Sequence, residues 1–408
     1  MLNIFKQASW LFMAQVLSRI IGFFYTIFLA RNLGVLDFGL YSVALAYFSI
    51  VASISDFGFN RFLIREIAKE KVKSWEIIWT VLMLRLTIVS VFFAIFALGI
   101  YLLDQDKTRV SIILLASLAV LPQAIALTFD GIFIALQRLQ FSAISALILS
   151  ISTVFFGVSL ISKGFGVYGA VNALVLGQII YATSLIYFIF KHQGFKLSSV
   201  TVSLLKKALF GSLPYGLLAV LGLIYFRIDT VLLSYLRGNF ETGIYAVGYK
   251  FLENLVFIPN ALTLVLFPTF AKLHEQDPKE IKGLFLKTVF IMLILGILIT
   301  FVFIFILPFV IQIFLPKFIQ SIEVIKILSL SIPFMFIHIP AASVLTSTNK
   351  YLKQVILFSI IPLLFNIILN LIYIPQYGIL AASWITVLSD IVSCVVILFC
   401  VKKFVFSK

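Results

Sequence analysis

The 408-residue chain is short of charge, sulfur and long polar stretches. Charged residues make up only 12% of it, against roughly 25% in a soluble domain, so an ordinary water-facing surface cannot be assembled. Its two cysteines, Cys394 and Cys400, stand six apart in one apolar run. That is neither a disulfide framework nor a metal or redox spacing, and apolar packing is their expected role. The chain has no GxxxxGK[ST] phosphate loop, no HExxH and no CxxC, which argues against ATP hydrolysis and against a metal or other cofactor. The longest loops, 61–76 and 191–206, are too short for a soluble domain with its own core. They are also too short for the large outer loop expected of a membrane glycosyl polymerase or ligase, so the chain does not read as an enzyme. The first apolar run is interrupted by Arg19 and lacks a small-residue cleavage site, so no cleavable signal is expected.

What is present is apolar surface. Hydrophobic residues are 62% of the chain and recur in runs of the length needed to cross a membrane, about twenty residues per helix. Backbone groups in lipid must be satisfied internally, and the short alternating strands of a barrel are absent. The expectation is an all-α integral membrane protein of about twelve transmembrane helices. The spans fall near 5–30, 39–60, 77–103, 109–131, 141–162, 167–190, 207–236, 242–270, 286–314, 320–346, 353–374 and 378–401.

The net charge of +15 lies in short loops between spans, which argues against a nucleic-acid partner. With the N-terminus inside, cytoplasmic loops hold 20 Lys and Arg and outer loops 7. The positive-inside rule therefore places both termini in the cytoplasm.

The chain also repeats itself. Asp37-Phe38-Gly39-Leu40-Tyr41-x-Val43 aligns with Glu241-Thr242-Gly243-Ile244-Tyr245-x-Val247 at an offset of 204, which also sets Asp56 over Asn260. An offset of 212 places Leu136-Gln137-Arg138 over Thr348-Asn349-Lys350, and Gly166-Val167-Tyr168-Gly169-Ala170 over Gly378-Ile379-Leu380-Ala381-Ala382. Near the first span, Lys6-Gln7-Ala8 falls over Lys206-Lys207-Ala208. The order is that of two six-helix lobes, residues 1–190 and 207–408, joined by a cytoplasmic linker at 191–206. Six is even, so the repeat is parallel, and transporters of this kind place their substrate between the halves.

Nine ionisable residues fall within spans: Arg19, Asp56, Arg85, Asp130, Arg227, Asp229, Lys250, Glu253 and Asp390. At roughly 2.5–3.5 kcal/mol each at a helix centre, they must face one another or a wet cavity. Arg19 shares a stripe with Gln15, Gly22 and Thr26. It reads either as a cationic cavity site or as half of a structural pair. Asp56 continues a stripe through Ser49, Ser53 and Asn60, and Arg61 or Arg65 are its alternative partners. Asp130, with Gln123, reads as interfacial or capping. Arg85 either faces the cavity or snorkels to the cytoplasm. Arg227 and Asp229, two apart, point to nearly opposite sides. Arg227 is then the pathway candidate, and Asp229 pairs with another helix. Lys250 and Glu253, three apart, either neutralise one another or line the cavity. Asp390 lies on a face with Ser383, Thr386 and Ser393 without a basic neighbour in sequence, which suits protonation or cation binding. Asn366 and Asn370 either line the cavity or join helices. His338 reads as a packed side chain with one hydrogen bond.

Several of these segments resemble a known family. Ser18-Arg19-x-x-Gly22-Phe23, Ala30-Arg31-x-Leu33-Gly34, Phe38-Gly39-x-Tyr41 and Asp56-Phe57-Gly58 with Arg65-Glu66-x-Ala68 look like the polysaccharide-repeat-unit (O-antigen type) flippases. These belong to the multidrug/oligosaccharidyl-lipid/polysaccharide exporter superfamily. Asp229-Thr230-x-Leu232-Leu233, Gly243-x-Tyr245 and Phe267-Pro268 extend the match through the second half.

The resemblance implies alternating access, by rocking of two lobes about the linker, to carry an oligosaccharide on undecaprenyl diphosphate across the bacterial inner membrane. The product would serve O-antigen and other lipopolysaccharide, capsule or exopolysaccharide synthesis. It further implies membrane lipids, a polymerase and chain-length proteins as partners. Arg19, Arg85, Arg227 and Lys250 would attract the diphosphate. Asp56, Asp229, Glu253 and Asp390 would couple to a proton or sodium gradient, or balance charge. Arg19 matches the first-helix arginine of the related lipid II flippases. Their following Arg-Asp is replaced here by Phe24-Tyr25-Thr26, and the chain has no room for their two additional helices. An ion-coupled multidrug antiporter of the same superfamily is the alternative reading. A membrane glycan polymerase is the third.

Overall fold

A computed structural model describes residues 2–69, 74–194, 196–276 and 278–406. Lys71, Lys73, Lys408 and the linker residue Phe195 lie outside the described residues, and so do the side chains of Lys6, Lys69 and Lys279. Among the described residues the protein is helical, with no strand. Fifteen α-helices are numbered in chain order: α1 Leu2–Asp56, α2 Phe59–Lys69, α3 Ser74–Leu103, α4 Lys107–Leu118, α5 Val120–Ala135, α6 Leu139–Ser162, α7 Gly166–His192, α8 Val202–Arg237, α9 Asn239–Leu255, α10 Phe257–Gln276, α11 Pro278–Phe305, α12 Leu307–Phe314, α13 Ser321–Ser329, α14 Ile332–Thr346 and α15 Leu352–Val401.

Nine described segments are long and apolar enough to cross a membrane, and the pair α13–α14, bent by 48°, makes a tenth. Two of them, Phe12–Ile67 and Leu352–Phe406, run to 56 and 55 residues. At 1.5 Å per residue each is roughly 80 Å long, more than twice a hydrocarbon core of roughly 30 Å. Both break at a glycine with positive φ, Gly34 in α1 and Gly378 in α15. Each is therefore two crossings joined by a tight turn, and the expected count of about twelve is recovered.

The chain divides into two compact units, Met1–Leu223 and Ile224–Lys408, with the boundary inside α8. In the first unit, α1 packs on α4 and α6, α7 packs on α5 and α6, and α2 lies against α3 and α5. The amphipathic α2 buries Phe59, Phe62, Leu63 and Ile67 among Ile78, Val81, Phe129, Phe133 and Leu185. The turn before it, Phe57 (φ 39) and Gly58 (φ 76), reverses the chain at the end of α1. A β-carbon on Gly58 would meet Ser212 O at 2.6 Å and Gly216 N at 2.7 Å, so only glycine lets this elbow seat on α8.

The linker region is tied to the same unit. Trp79 Nε1 donates to Lys196 O at 2.9 Å, Arg138 Nη1 donates to His192 O at 3.3 Å, and Lys207 Nζ pairs with Glu66 at 2.6 Å.

In the second unit, α14 packs on α10, α11 and α15, while α13 packs on α9 and α15. The repeat read from sequence has a structural counterpart in each unit. Gly34 (φ 75) and Gly238 (φ 86), 204 apart, both break the chain before a long buried helix. Gly166 (φ 50) and Gly378 (φ 55), 212 apart, both open a later one. An acid accompanies each of the latter. Glu241 Oε2 accepts from Ile379 N at 3.2 Å, and Asp37 Oδ2 lies 3.7 Å from where a β-carbon on Gly166 would stand. In the second copy the carboxylate at the start of the helix meets an unpaired N–H and the positive end of the dipole.

Candidate functional site

The charges of the first unit form a closed network near the elbow. Asp56 ends α1, accepts from Asn60 N at 3.3 Å and forms an ion pair with Arg85 of α3. Arg85 is fully buried and also donates to Thr128 Oγ1 at 2.9 Å and Ala124 O at 3.4 Å, both on α5. Arg85 therefore does not snorkel, because an acid reaches it inside the fold. Nor does Asp56 take either basic neighbour considered from sequence. Arg65 pairs with Glu66 at 3.3 Å, and Arg61 lies 5.4 Å over the Tyr215 ring. Arg19 is elsewhere on α1, exposed, on the stripe with Gln15, Gly22 and Thr26, where Thr26 Oγ1 donates to Gly22 O at 2.8 Å.

The charges of the second unit gather around one cleft. It is narrow, with a volume of about 10 Å³, and is lined by Tyr225, Phe226 and Asp229 of α8, Tyr249, Leu252 and Glu253 of α9, Val256, Met335 of α14, and Asn366, Thr386 and Asp390 of α15. Three small networks meet there. In the first, Glu253 is shared by two cations: Arg227 Nη2 donates to it at 2.6 Å and Lys250 Nζ at 3.0 Å. The arginine comes from a different helix, so the i,i+3 pair expected from sequence is only half of the arrangement. The Arg227 and Lys250 side chains remain 18% and 33% exposed, leaving one positive charge in excess that a ligand can reach.

In the second network, Asp229 is 2% exposed and surrounded by neutral donors. Asn370 Nδ2 donates to it at 2.7 Å, Thr386 Oγ1 at 2.8 Å and Tyr245 OH at 3.2 Å, while Asn370 also donates to Asn366 Oδ1 at 3.0 Å. Among the described residues no Lys, Arg or His forms an ion pair with Asp229. The side chains two apart on α8 do part as expected: Arg227 goes to Glu253 of α9, Asp229 to α15. Asn366 and Asn370 serve this acid, which joins α8 to α15.

In the third network, Asp390 is 4% exposed and accepts from Tyr225 OH at 2.8 Å. His338 Nε2 of α14 stands 3.5 Å from the same carboxylate oxygen. The sequence reading missed this neighbour, because 52 residues separate the two. One signal was available: His338 is the only histidine in the middle of an apolar span.

Of the eight charged site candidates, Arg227, Lys250, Glu253, Asp229 and Asp390 belong to the second-unit cluster. Arg85 and Asp56 form their own pair, and Arg19 lies exposed on α1.

Residues 4–274 match the family described as polysaccharide biosynthesis protein, and residues 214–372 match the MatE family. An uncharacterised membrane protein of Methanocaldococcus jannaschii is 25% identical, covering 94% of this chain and 80% of its own length. Among solved structures, the lipid II flippase MurJ in an inward closed conformation aligns with a TM-score of 0.75 at 16% identity, over 96% of this chain and 87% of its own. The MATE multidrug transporter DinF-BH aligns at 0.71 and 14%, over 98% and 95%. A MOP superfamily transporter from Pyrococcus furiosus, described by a binding pocket of reversed polarity, aligns at 0.69 and 14%, over 98% and 96%.

Proposed function

The chain belongs to the polysaccharide biosynthesis protein family of the multidrug/oligosaccharidyl-lipid/polysaccharide exporter superfamily, and we propose that it flips oligosaccharide repeat units linked to undecaprenyl diphosphate. It is a membrane transporter and not an enzyme. In this reading it works in the bacterial inner membrane with both termini in the cytoplasm. The repeat units it delivers feed O-antigen, capsule or exopolysaccharide assembly by a polymerase and chain-length proteins.

One observation carries the choice of an anionic cargo: the accessible charge is positive. Arg227 and Lys250 outnumber the one carboxylate they share, and their side chains are 18% and 33% exposed. Asp229 and Asp390, by contrast, are buried and already supplied with hydrogen-bond donors. A diphosphate offers what Glu253 offers, oxygen acceptors for a forked guanidinium and a point ammonium, with more charge. In this reading it competes with Glu253 for one of its two partners. Asp229 and Asp390, lining the same cleft, are assigned to coupling with a cation gradient. Arg85 and Asp56, closed on each other, hold the first unit together and make no substrate contact in this scheme.

The second reading, a multidrug antiporter, draws on the MatE match over 214–372 and on the two buried acids within the second unit. Transport by purified protein in liposomes separates the two. The expected result is inter-leaflet movement of a fluorescent polyprenyl-diphosphate oligosaccharide, reduced at least tenfold in Arg19→Ala and in Lys250→Ala proteins that insert normally. Uptake of a cationic dye with no movement of the glycan lipid would replace this reading by the antiporter. Full activity in Arg19→Ala would remove that residue from substrate binding.

A further inference from the structure

His338 is left over by the scheme above. It lies one turn after Met335 on α14, and its Nε2 is buried without a hydrogen-bond partner among the described residues. That nitrogen points at Asp390 Oδ1 from 3.5 Å, while Tyr225 OH donates to the same oxygen at 2.8 Å. The separation exceeds the roughly 2.7–3.2 Å of an N–H···O bond and leaves no space for a water between the two atoms. Whichever neutral tautomer the ring adopts, Nε2 and the carboxylate stand too far apart for a good hydrogen bond, and both are buried. A protonated ring closes the gap with a charge-assisted bond of about 2.7–2.9 Å and less than about 1 Å of movement.

The charges around the cleft point the same way. Facing Asp390 are Tyr225 and Asp229 from α8, Tyr249 and Glu253 from α9 and His338 from α14, with Cys394 one turn along its own helix. Arg227 and Lys250 are bound to Glu253. Three carboxylates thus face two cations, and a single added proton brings the cluster to neutrality. A metal cation at Asp390 would need several oxygen ligands, and the nearest groups there are a donating phenol and an imidazole.

We infer that His338 and Asp390 form the proton-binding site of this transporter, with Tyr225 holding the carboxylate in place. The proton comes from water on one side of the membrane, binds the neutral imidazole of His338, pairs the imidazolium with Asp390 and leaves to water on the other side. No covalent bond other than N–H forms or breaks. The inference rests on the transport reading above and names the ion it uses.

Two measurements test it. The first needs no substrate. The chain has three histidines, His192, His274 and His338, so nitrogen-labelled histidine spectra of detergent-solubilised protein are assignable by loss of one signal in His338→Gln. The His338 ring signals are expected to respond to pH in the wild-type protein, and Asp390→Asn to displace that response by at least tenfold in proton concentration. Identical curves in wild type and Asp390→Asn overturn the pairing.

The second uses liposomes and the fluorescent polyprenyl-diphosphate oligosaccharide. A pH gradient is expected to change the wild-type rate at least tenfold over the gradient-free rate, and His338→Gln and Asp390→Asn to bring that ratio to about one. A rate that follows a sodium gradient at fixed pH, or a pH response surviving in both variants, overturns the inference. If wild-type protein moves no glycan lipid, the flippase reading fails by itself, and the histidine spectra still decide whether the proton site exists.

Discussion

At equivalent places in the repeat, the first unit packs the Tyr25 phenol against Gly157, whereas the second sets Asp229 among Tyr245, Asn370 and Thr386. Tyr25 and Tyr41 stand 204 residues before Asp229 and Tyr245. The neighbouring tyrosine is thus kept while the residue facing it changes from neutral to acidic. The reverse happens at the other end: Asp56, paired with Arg85, corresponds to an exposed Asn260. The turns and glycines are shared because backbone geometry requires them in both copies. The charges are not shared: one unit uses them in a closed structural pair, the other in a cleft with an excess of acid.

The most disruptive test of that contrast is removal of each unit's buried charge. Arg85→Ala leaves Asp56 without its partner inside the fold and is expected to cost about 3–5 kcal/mol, read as loss of thermal stability in detergent. Asp229→Asn keeps the shape and most of the hydrogen bonds, so it should unfold near the wild-type temperature while losing gradient-driven transport. If Asp229→Asn is the unstable protein and Arg85→Ala transports normally, the roles given to the two networks are reversed.

A smaller difference is expected at the paired glycines. Gly378→Ala places a methyl group into the Glu241 carboxylate at φ 55 and should cost about 2–3 kcal/mol. Gly166→Ala has the strained φ of 50 but an open neighbourhood, and should cost about 1–2 kcal/mol. Equal losses would mean that the acid at the second copy yields freely. The acids themselves come next. Glu241→Ala removes acceptance from Ile379 N and the bond from Arg237 at 2.8 Å, for about 1–2 kcal/mol, and Asp37→Ala should cost less than Glu241→Ala. Smallest of all is Lys207→Ala. Its bridge to Glu66 is half exposed on the lysine side, and thermal unfolding should register under about 1 kcal/mol.

How far the molecule was legible in its sequence follows from which interactions are local. Span composition, helix type and repeat register are local or periodic properties. The two offsets accordingly find Gly34 with Gly238 and Gly166 with Gly378, all at positive φ. The stripe on each helix also gave the direction of its polar face, and the parting of Arg227 from Asp229 followed from helical geometry alone. Partner identity was another matter. Asp56 has basic residues five and nine positions away in sequence, yet its partner is Arg85, because the elbow at Phe57–Gly58 turns those neighbours off the α1 axis. Asp390 has no basic neighbour along the chain and acquires His338 only when α14 packs on α15. Periodicity names a face, and tertiary packing decides what lies across from it.

The two sulfurs set aside at the outset have a practical consequence. Cys394 and Cys400 are 5% and 0% exposed, and the chain holds no other thiol. The native protein is thus a nearly silent background for maleimide chemistry. A single cysteine introduced beside Gly34, beside Gly378 or in α2 would report its own sidedness in intact cells, without first stripping the native residues and disturbing α15.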